Sequence, residues 1–261
     1  MLRKLFAYSL ALATSGISAQ SVAWLHPYEN TFSWATSMAR GGDGELYLGG
    51  RIRDLGDPFD GLPLSGYGYQ DGFIAKTDAT GNAVWIRLIG AFSSEYVVDV
   101  QERDGGLTVA GNMVNYSSGS SINYNGGAYA IPYECCSNGY IMRLDTAGAL
   151  QWLFHTDGSP IGMHIDDAGD IHITTAGDSA RYYRLSADGS GLMDLAFADF
   201  HATSQLVIAP AGDIYVASAF TQTHWWAGTT YTTHGAGDIL LSRFNPSGTL
   251  QFTKHIGGDG N

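Results

Sequence analysis

Short runs of alternating apolar and polar residues, separated by glycine-bearing polar turns, fill most of this chain. The stretch DGFIAKTDATGNAVWIRLIG at 71–90 returns as NGYIMRLDTAGALQWLFHTDG at 138–158 and as GDILLSRFNPSGTLQFTKHIGG at 237–258. Each copy places two such runs around a polar quartet, D-A-T-G, D-T-A-G or N-P-S-G, and S-A-D-G at 186–189 marks a fourth copy. Period-two alternation on both sides of a short turn predicts a β-hairpin. The turn glycines are Gly81, Gly148, Gly189 and Gly248. A second hairpin precedes each: GGDGELYLGG (41–50), RDGGLTVAGN (103–112), DDAGDIHITTAG (166–177) and APAGDIYVASAF (209–220). Leu46, Leu107, Ile171 and Ile214 fall at equivalent places in these.

Each unit therefore holds four short strands, and the turn glycines are 67, 41 and 59 residues apart. Four-stranded units at such a period predict an all-β chain folded as a β-propeller of four-stranded antiparallel blades. One twisted four-stranded sheet cannot bury both of its faces alone, whereas stacking blades buries each against a neighbour. The blades read as approximately 32–90, 96–156, 161–198 and 203–256. Trp85, Trp152 and Phe252 share one place in the fourth strand and are expected to form blade core. Unit three carries Leu192–Met193 there and lacks an insert, so an irregular blade is expected. SVAWLHPY at 21–28 puts Trp24 in the register of Trp85 and Trp152, and reads as an orphan fourth strand that closes a last blade. The final GGDGN, 257–261, reads as the start of a further blade. The visible part is then an incomplete propeller, one of seven blades for example, with closing blades supplied by a longer chain or an oligomer partner. A four-bladed ring is the alternative.

These units resemble the SBBP beta-propeller repeats of secreted and surface proteins, many of them from Bacteroidetes. The residues that carry the resemblance are DGFIAKTDATGNAVWIRLIG, the GGDGELYLGG-type runs and the terminal GGDGN, and it spans nearly all of 21–261. It implies a propeller and a secreted or surface setting, and says almost nothing of activity, because propellers host many functions.

Composition agrees with an all-β reading: 35 Gly, 15 Tyr, 11 Phe and 6 Trp, with only 15% charged residues. Residues 1–19 form a basic start (MLRK), an apolar run (LFAYSLALA) and a small-residue cleavage site (ISA) before Gln20. That order predicts a signal peptide and Sec export to the periplasm, cell surface or medium. The apolar run is too short to span a bilayer, and no later segment is apolar enough, so no membrane span is expected. Arg3 and Lys4 are the segment's only charges, so its removal makes the net charge two units more negative than −12. Such an acidic chain is a poor partner for nucleic acid, which is bound through Lys and Arg.

Candidate chemistry sits in inserts between the second and third strands. They are long in units one (RIRDLGDPFDGLPLSGYGYQ), two (NYSSGSSINYNGGAYAIPYECCS) and four (TQTHWWAGTTYTTHGAG). Loops of this kind emerge together on one face of a propeller, where sites are usually found. Tyr116, Tyr124, Tyr129, Tyr133, Trp225, Trp226 and Tyr231 are candidates for contact with a glycan or protein ligand, since flat amphipathic rings bind at little entropic cost. The alternative is that they cover blade edges. Cys135 and Cys136 are the only cysteines, and export favours their oxidation to a vicinal disulfide. Neighbouring Cα atoms stand closer than ordinary disulfide geometry, so that bond would be strained. Two free thiols or intermolecular pairing are the other readings. The pair and the segment AKTDATGNAVW (75–85) resemble features of quinoprotein alcohol dehydrogenases, which implies an exported enzyme as the rival to a binding module; a carbohydrate-active enzyme is the other form of that rival. No catalytic residue, cofactor or metal site is expected. The eight histidines lack metal-binding spacing, and His224 and His234 read as solvated. DDAGD (166–170) lacks the spacing of a calcium loop and reads as a turn.

Overall fold

The computed structural model describes residues 33–53, 58–114, 121–132, 137–177, 180–197 and 204–259. The expected signal peptide, closing strand and Trp24 lie outside them, as do Tyr116, Tyr133, Cys135 and Cys136. The described residues hold strands, turns and loops and no helix.

The first unit contains β1 (Ser33–Arg40), β2 (Leu46–Ile52), β3 (Asp71–Thr77) and β4 (Ala83–Gly90), and the second opens with β5 (Ser94–Arg103) and β6 (Gly106–Val114). An insert hairpin follows, β7 (Ser121–Tyr124) and β8 (Gly127–Ala130), and then β9 (Ser137–Asp145) and β10 (Leu150–Asp157). The third unit is β11 (Ser159–Ile165), β12 (Ile171–Ala176), β13 (Ala180–Leu185) and β14 (Gly191–Phe197). The fourth is β15 (Ser204–Ile208), β16 (Ile214–Phe220), an insert hairpin of β17 (Thr223–Trp226) and β18 (Thr229–Thr232), then β19 (Asp238–Phe244) and β20 (Leu250–Ile256). Within the units, hydrogen bonding joins β1-β2-β3-β4, β5-β6-β9-β10, β11-β12-β13-β14 and β15-β16-β19-β20, every pair antiparallel. The fold is a β-propeller of four-stranded blades. Successive sheets stack: β5 packs on β1, β2 and β3, β11 on β5, β6 and β9, and β15 on β11 and β12. Unit three is a regular blade, against the sequence expectation, because Met193 occupies the register of the missing tryptophan, opposite Arg184 as Trp152 is opposite Arg143. A flexible thioether fills that place.

Three of the four quartets share one chemical design; in the fourth, Asp188 Oδ1 accepts the Ser190 N–H instead. Asp78 Oδ1 accepts the backbone N–H groups of Thr80 and Asn82 at 2.8 and 3.0 Å. Asp145 does the same for Ala147 and Ala149, and Asn245 for Ser247 and Thr249. Side-chain bonds from Asn82 and Thr80, with those N–H groups, pull the Asp78 carboxyl down to about 2. The fourth turn residue has a positive φ, 91° at Gly81, 82° at Gly148, 85° at Gly189 and 82° at Gly248, which glycine adopts freely. Next to each turn the register slips by one residue, a bulge that strengthens the strand twist.

The turns also lock blade to blade. The Trp85 indole lies under the Gly148 turn and donates Nε1–H to the Thr146 carbonyl at 3.3 Å. Trp152 lies under the Gly189 turn and donates to Ala187 O at 3.1 Å. Met193 lies under Gly248. Phe252 stands in the same register, opposite Arg243, yet no turn covers it among the described residues and it is 41% exposed. Among the described residues the ring is at the outer face of the fourth sheet.

A polar triad joins two buried residues of the middle strands of the third blade, His172 on β12 and Tyr182 on β13, to Asp166 in the turn before them. His172 Nδ1 is 2.7 Å from the Tyr182 hydroxyl, and Nε2 is 3.1 Å from Asp166 Oδ2. With Nε2 protonated, His172 donates to the carboxylate and accepts from the tyrosine. Burial lowers the His172 pKa and outweighs the opposing bond to Asp166. The folded state thus binds fewer protons than the unfolded chain once pH falls below the ordinary imidazole range, about 6.5, so the stability this neutral ring contributes is present above that range and lost as pH falls through the lowered folded value. Thermal melts between about pH 8 and about pH 5 should show stability falling with acid, with a smaller fall in His172→Gln. Equal slopes for the two proteins would reject the assignment.

Candidate functional site

The inserts are built alike. Each described tip is a two-residue turn with both residues left-handed: Asp60–Gly61 (φ 48° and 76°), Asn125–Gly126 (48° and 82°) and Ala227–Gly228 (49° and 82°). That conformation matches the twist of a tight hairpin. In blades two and four they also share a direction, packing against the preceding blade, and in blade one the insert covers its own sheet. In blade one Phe59, Leu62 and Leu64 cover Ile52, Phe73 and Leu88. In blade two Ile122 and Tyr124 enter a core with Ile74, Trp85 and Ile89 of blade one. There β7 pairs with β4, Ile89 opposite Tyr124, so the hairpin extends the neighbouring sheet. In blade four Trp226 joins a core with Ala180 and Tyr182 of blade three.

This arrangement sorts the candidate rings. Tyr124 is buried and its hydroxyl donates to Gly148 O at 2.6 Å; burial drives its pKa up. Trp226 is buried edge-on against Phe244 and donates Nε1–H to Thr253 Oγ1 at 3.0 Å. Both rings are core, so their reading as ligand contacts is corrected: period two in a short strand sends alternate side chains inward. Tyr129 and Tyr231 are half-buried, packed beside the cores of blades two and four. Trp225 stands out at 61% exposure. It lies opposite Thr230, with Thr223 opposite Thr232 on the same face of the hairpin. Those four side chains make a flat ring beside three hydroxyl groups, held in place by buried Trp226 and His224 on the other side.

A polar cluster lies at the root of the same insert. Asp238 opens β19, and its Oδ2 accepts the backbone N–H of His234 at 3.0 Å. The same oxygen is 3.3 Å from His234 Nδ1 and 2.6 Å from His255 Nε2. The Asp238 side chain is fully buried, His255 is one-fifth exposed and His234 is 60% exposed. Bonding from the His234 N–H, helped by the two imidazoles, holds the Asp238 carboxyl below its usual range against the effect of burial. Phe220 and Tyr231 flank the His255 ring at 5.4 and 5.9 Å between centroids. Along the sequence these histidines lack metal-binding spacing. The signal was available in the hairpin register: counting outward from the Gly248 turn puts His255 opposite Leu240, on the face that Asp238 shares. Elsewhere, a cleft of about 410 Å³ between blades three and four is lined by His164, Asp166, Asp167 and Pro210 among others.

No family model matches this chain, and neither does any curated protein. Among solved structures it is similar to a protein of unknown function from Bacteroides caccae, at 15% identity and a TM-score of 0.33, covering 89% of this chain and 85% of that one. It is also similar to BamB from Moraxella catarrhalis, at 14% identity and a TM-score of 0.31, covering 91% and 81%. At those scores the likeness adds nothing to the fold already read from the strand pairing.

Proposed function

We propose that this chain is an exported β-propeller that binds a ligand, most simply a glycan, through the outer face of the blade-four insert. The observation that carries the reading is Trp225, a large exposed ring on a pinned hairpin, with Thr223, Thr230 and Thr232 on its face. An indole offers a flat apolar surface to the C–H face of a sugar, and the hydroxyl groups offer hydrogen bonds at its rim. A protein loop would be met by the same chemistry. The signal-peptide pattern at 1–19, the acidic balance and the resemblance of the repeats to SBBP units support an extracellular setting. Trp225→Ala should abolish retention on the glycan that the wild-type chain selects from an array, with its circular dichroism and melting temperature unchanged. Trp226→Ala should instead lower the melting temperature, because that ring is packed. Retention unchanged in Trp225→Ala would sink the proposal.

A further inference from the structure

We infer that His234, Asp238 and His255 form a binding site for a divalent transition-metal ion of the zinc type. The three ligand atoms, His234 Nδ1, His255 Nε2 and Asp238 Oδ2, all lie within 4.8 Å of one another. Two imidazoles and one carboxylate suit zinc and its first-row neighbours, and leave at least one coordination position open. His234 is 60% exposed, so the cluster is reached from the surface.

The fold supplies a comparison within the same chain. Asp71 occupies the place of Asp238 in blade one, since Ile52 pairs with Asp71 as Phe220 pairs with Asp238. It too accepts a backbone N–H four residues back, from Tyr67 at 3.0 Å. Closing an insert onto the third strand therefore needs only the carboxylate. The position of His234 is Tyr67 in blade one, and that of His255 is Leu88, opposite Phe73 as His255 is opposite Leu240. Blade four alone of these two brings two imidazoles to the loop-closing oxygen. Both imidazoles approach the same atom, Asp238 Oδ2, and Asp238 Oδ1 is buried with no hydrogen-bond partner. Ligands at about 2.0–2.2 Å from a tetrahedral ion stand about 3.4 Å apart, so seating an ion requires the His255 ring to retreat by less than about 1 Å from its 2.6 Å contact. A bound ion would join the end of the β17–β18 hairpin to β19 and β20. This site stands independently of any role for Trp225.

The test uses Zn²⁺ and the full chain carrying Cys135→Ser and Cys136→Ser, so that thiolates cannot supply the binding. Competition against a chromophoric chelator should show one Zn²⁺ per chain. Affinity should fall by about tenfold or more in His234→Ala and in His255→Gln. It should be unchanged in His164→Ala, which alters an exposed histidine of blade three. Co²⁺ should give a visible absorption band with the parent and none with His234→Ala. His234 is exposed, so its variant stays folded and keeps the experiment decisive if His255→Gln does not fold. Absence of stoichiometric binding, or equal affinity in His234→Ala, would overturn the inference and leave the cluster as a hydrogen-bonded loop closure.

Discussion

Trp85→Ala should destabilise the chain by about 3–5 kcal/mol, the range for deleting a large buried ring. For a domain of this size that is a fall in melting temperature on the order of 10 °C. The magnitude follows from how many things the indole does at once. It is 9% exposed, it packs at 6.2 Å from the Tyr47 ring, and it carries the bond to Thr146 O of the next blade. Truncation opens a cavity at the junction of blades one and two and strands the Thr146 carbonyl partner. Phe252→Ala changes the same position of the fourth blade and should cost about 1 kcal/mol or less, since that ring is 41% exposed. Denaturant melts of the two variants measure the contrast; comparable losses would mean that the inter-blade lock contributes little.

Gly189→Ala is the second large effect. Its φ of 85° strains any L-residue by about 1–2 kcal/mol. The added methyl would also sit 2.7 Å from Trp152 Cδ2, with two more ring atoms within 3.1 Å. Trp152 cannot simply turn aside, because its Nε1 bond to Ala187 ties it to this turn. Overpacking of that kind adds about 1–3 kcal/mol. Gly105→Ala separates the two contributions: φ is 71° there, and nothing lies within 4 Å of the new methyl. It should show the strain alone. If Gly105→Ala destabilises as much as Gly189→Ala, the tryptophan contact is not what constrains the glycine.

The legibility of this chain follows from the range of its interactions. Asp or Asn at the first turn position and Gly at the fourth act within five residues, so D-T-A-G and N-P-S-G announce their hairpins directly. Blade stacking was legible through Trp85 and Trp152, whose shared register repeats with the turns. The direction of the inserts was not legible, because it depends on which neighbouring core accepts Phe59, Ile122 or Trp226. Trp225 and Trp226 look equivalent in THWW, yet adjacent strand residues face opposite ways, and only tertiary packing says which is inside. The His234–Asp238–His255 cluster joins residues from a loop and two strands. Linear spacing between histidines cannot express that, although hairpin register can.

The pairing of β7 with β4 has a further consequence for anyone cutting or recombining this chain. A segment excised as residues 33–90 would have its outer edge bare, and the segment left behind would keep a hairpin with no sheet to join. Blade one and the blade-two insert are thus coupled through the sheet itself, whereas the β17–β18 hairpin of blade four pairs only within itself. Chimeras joined between β4 and β5 would break this coupling, and those joined between β8 and β9 would part β6 from β9, so blades one and two exchange best as a pair.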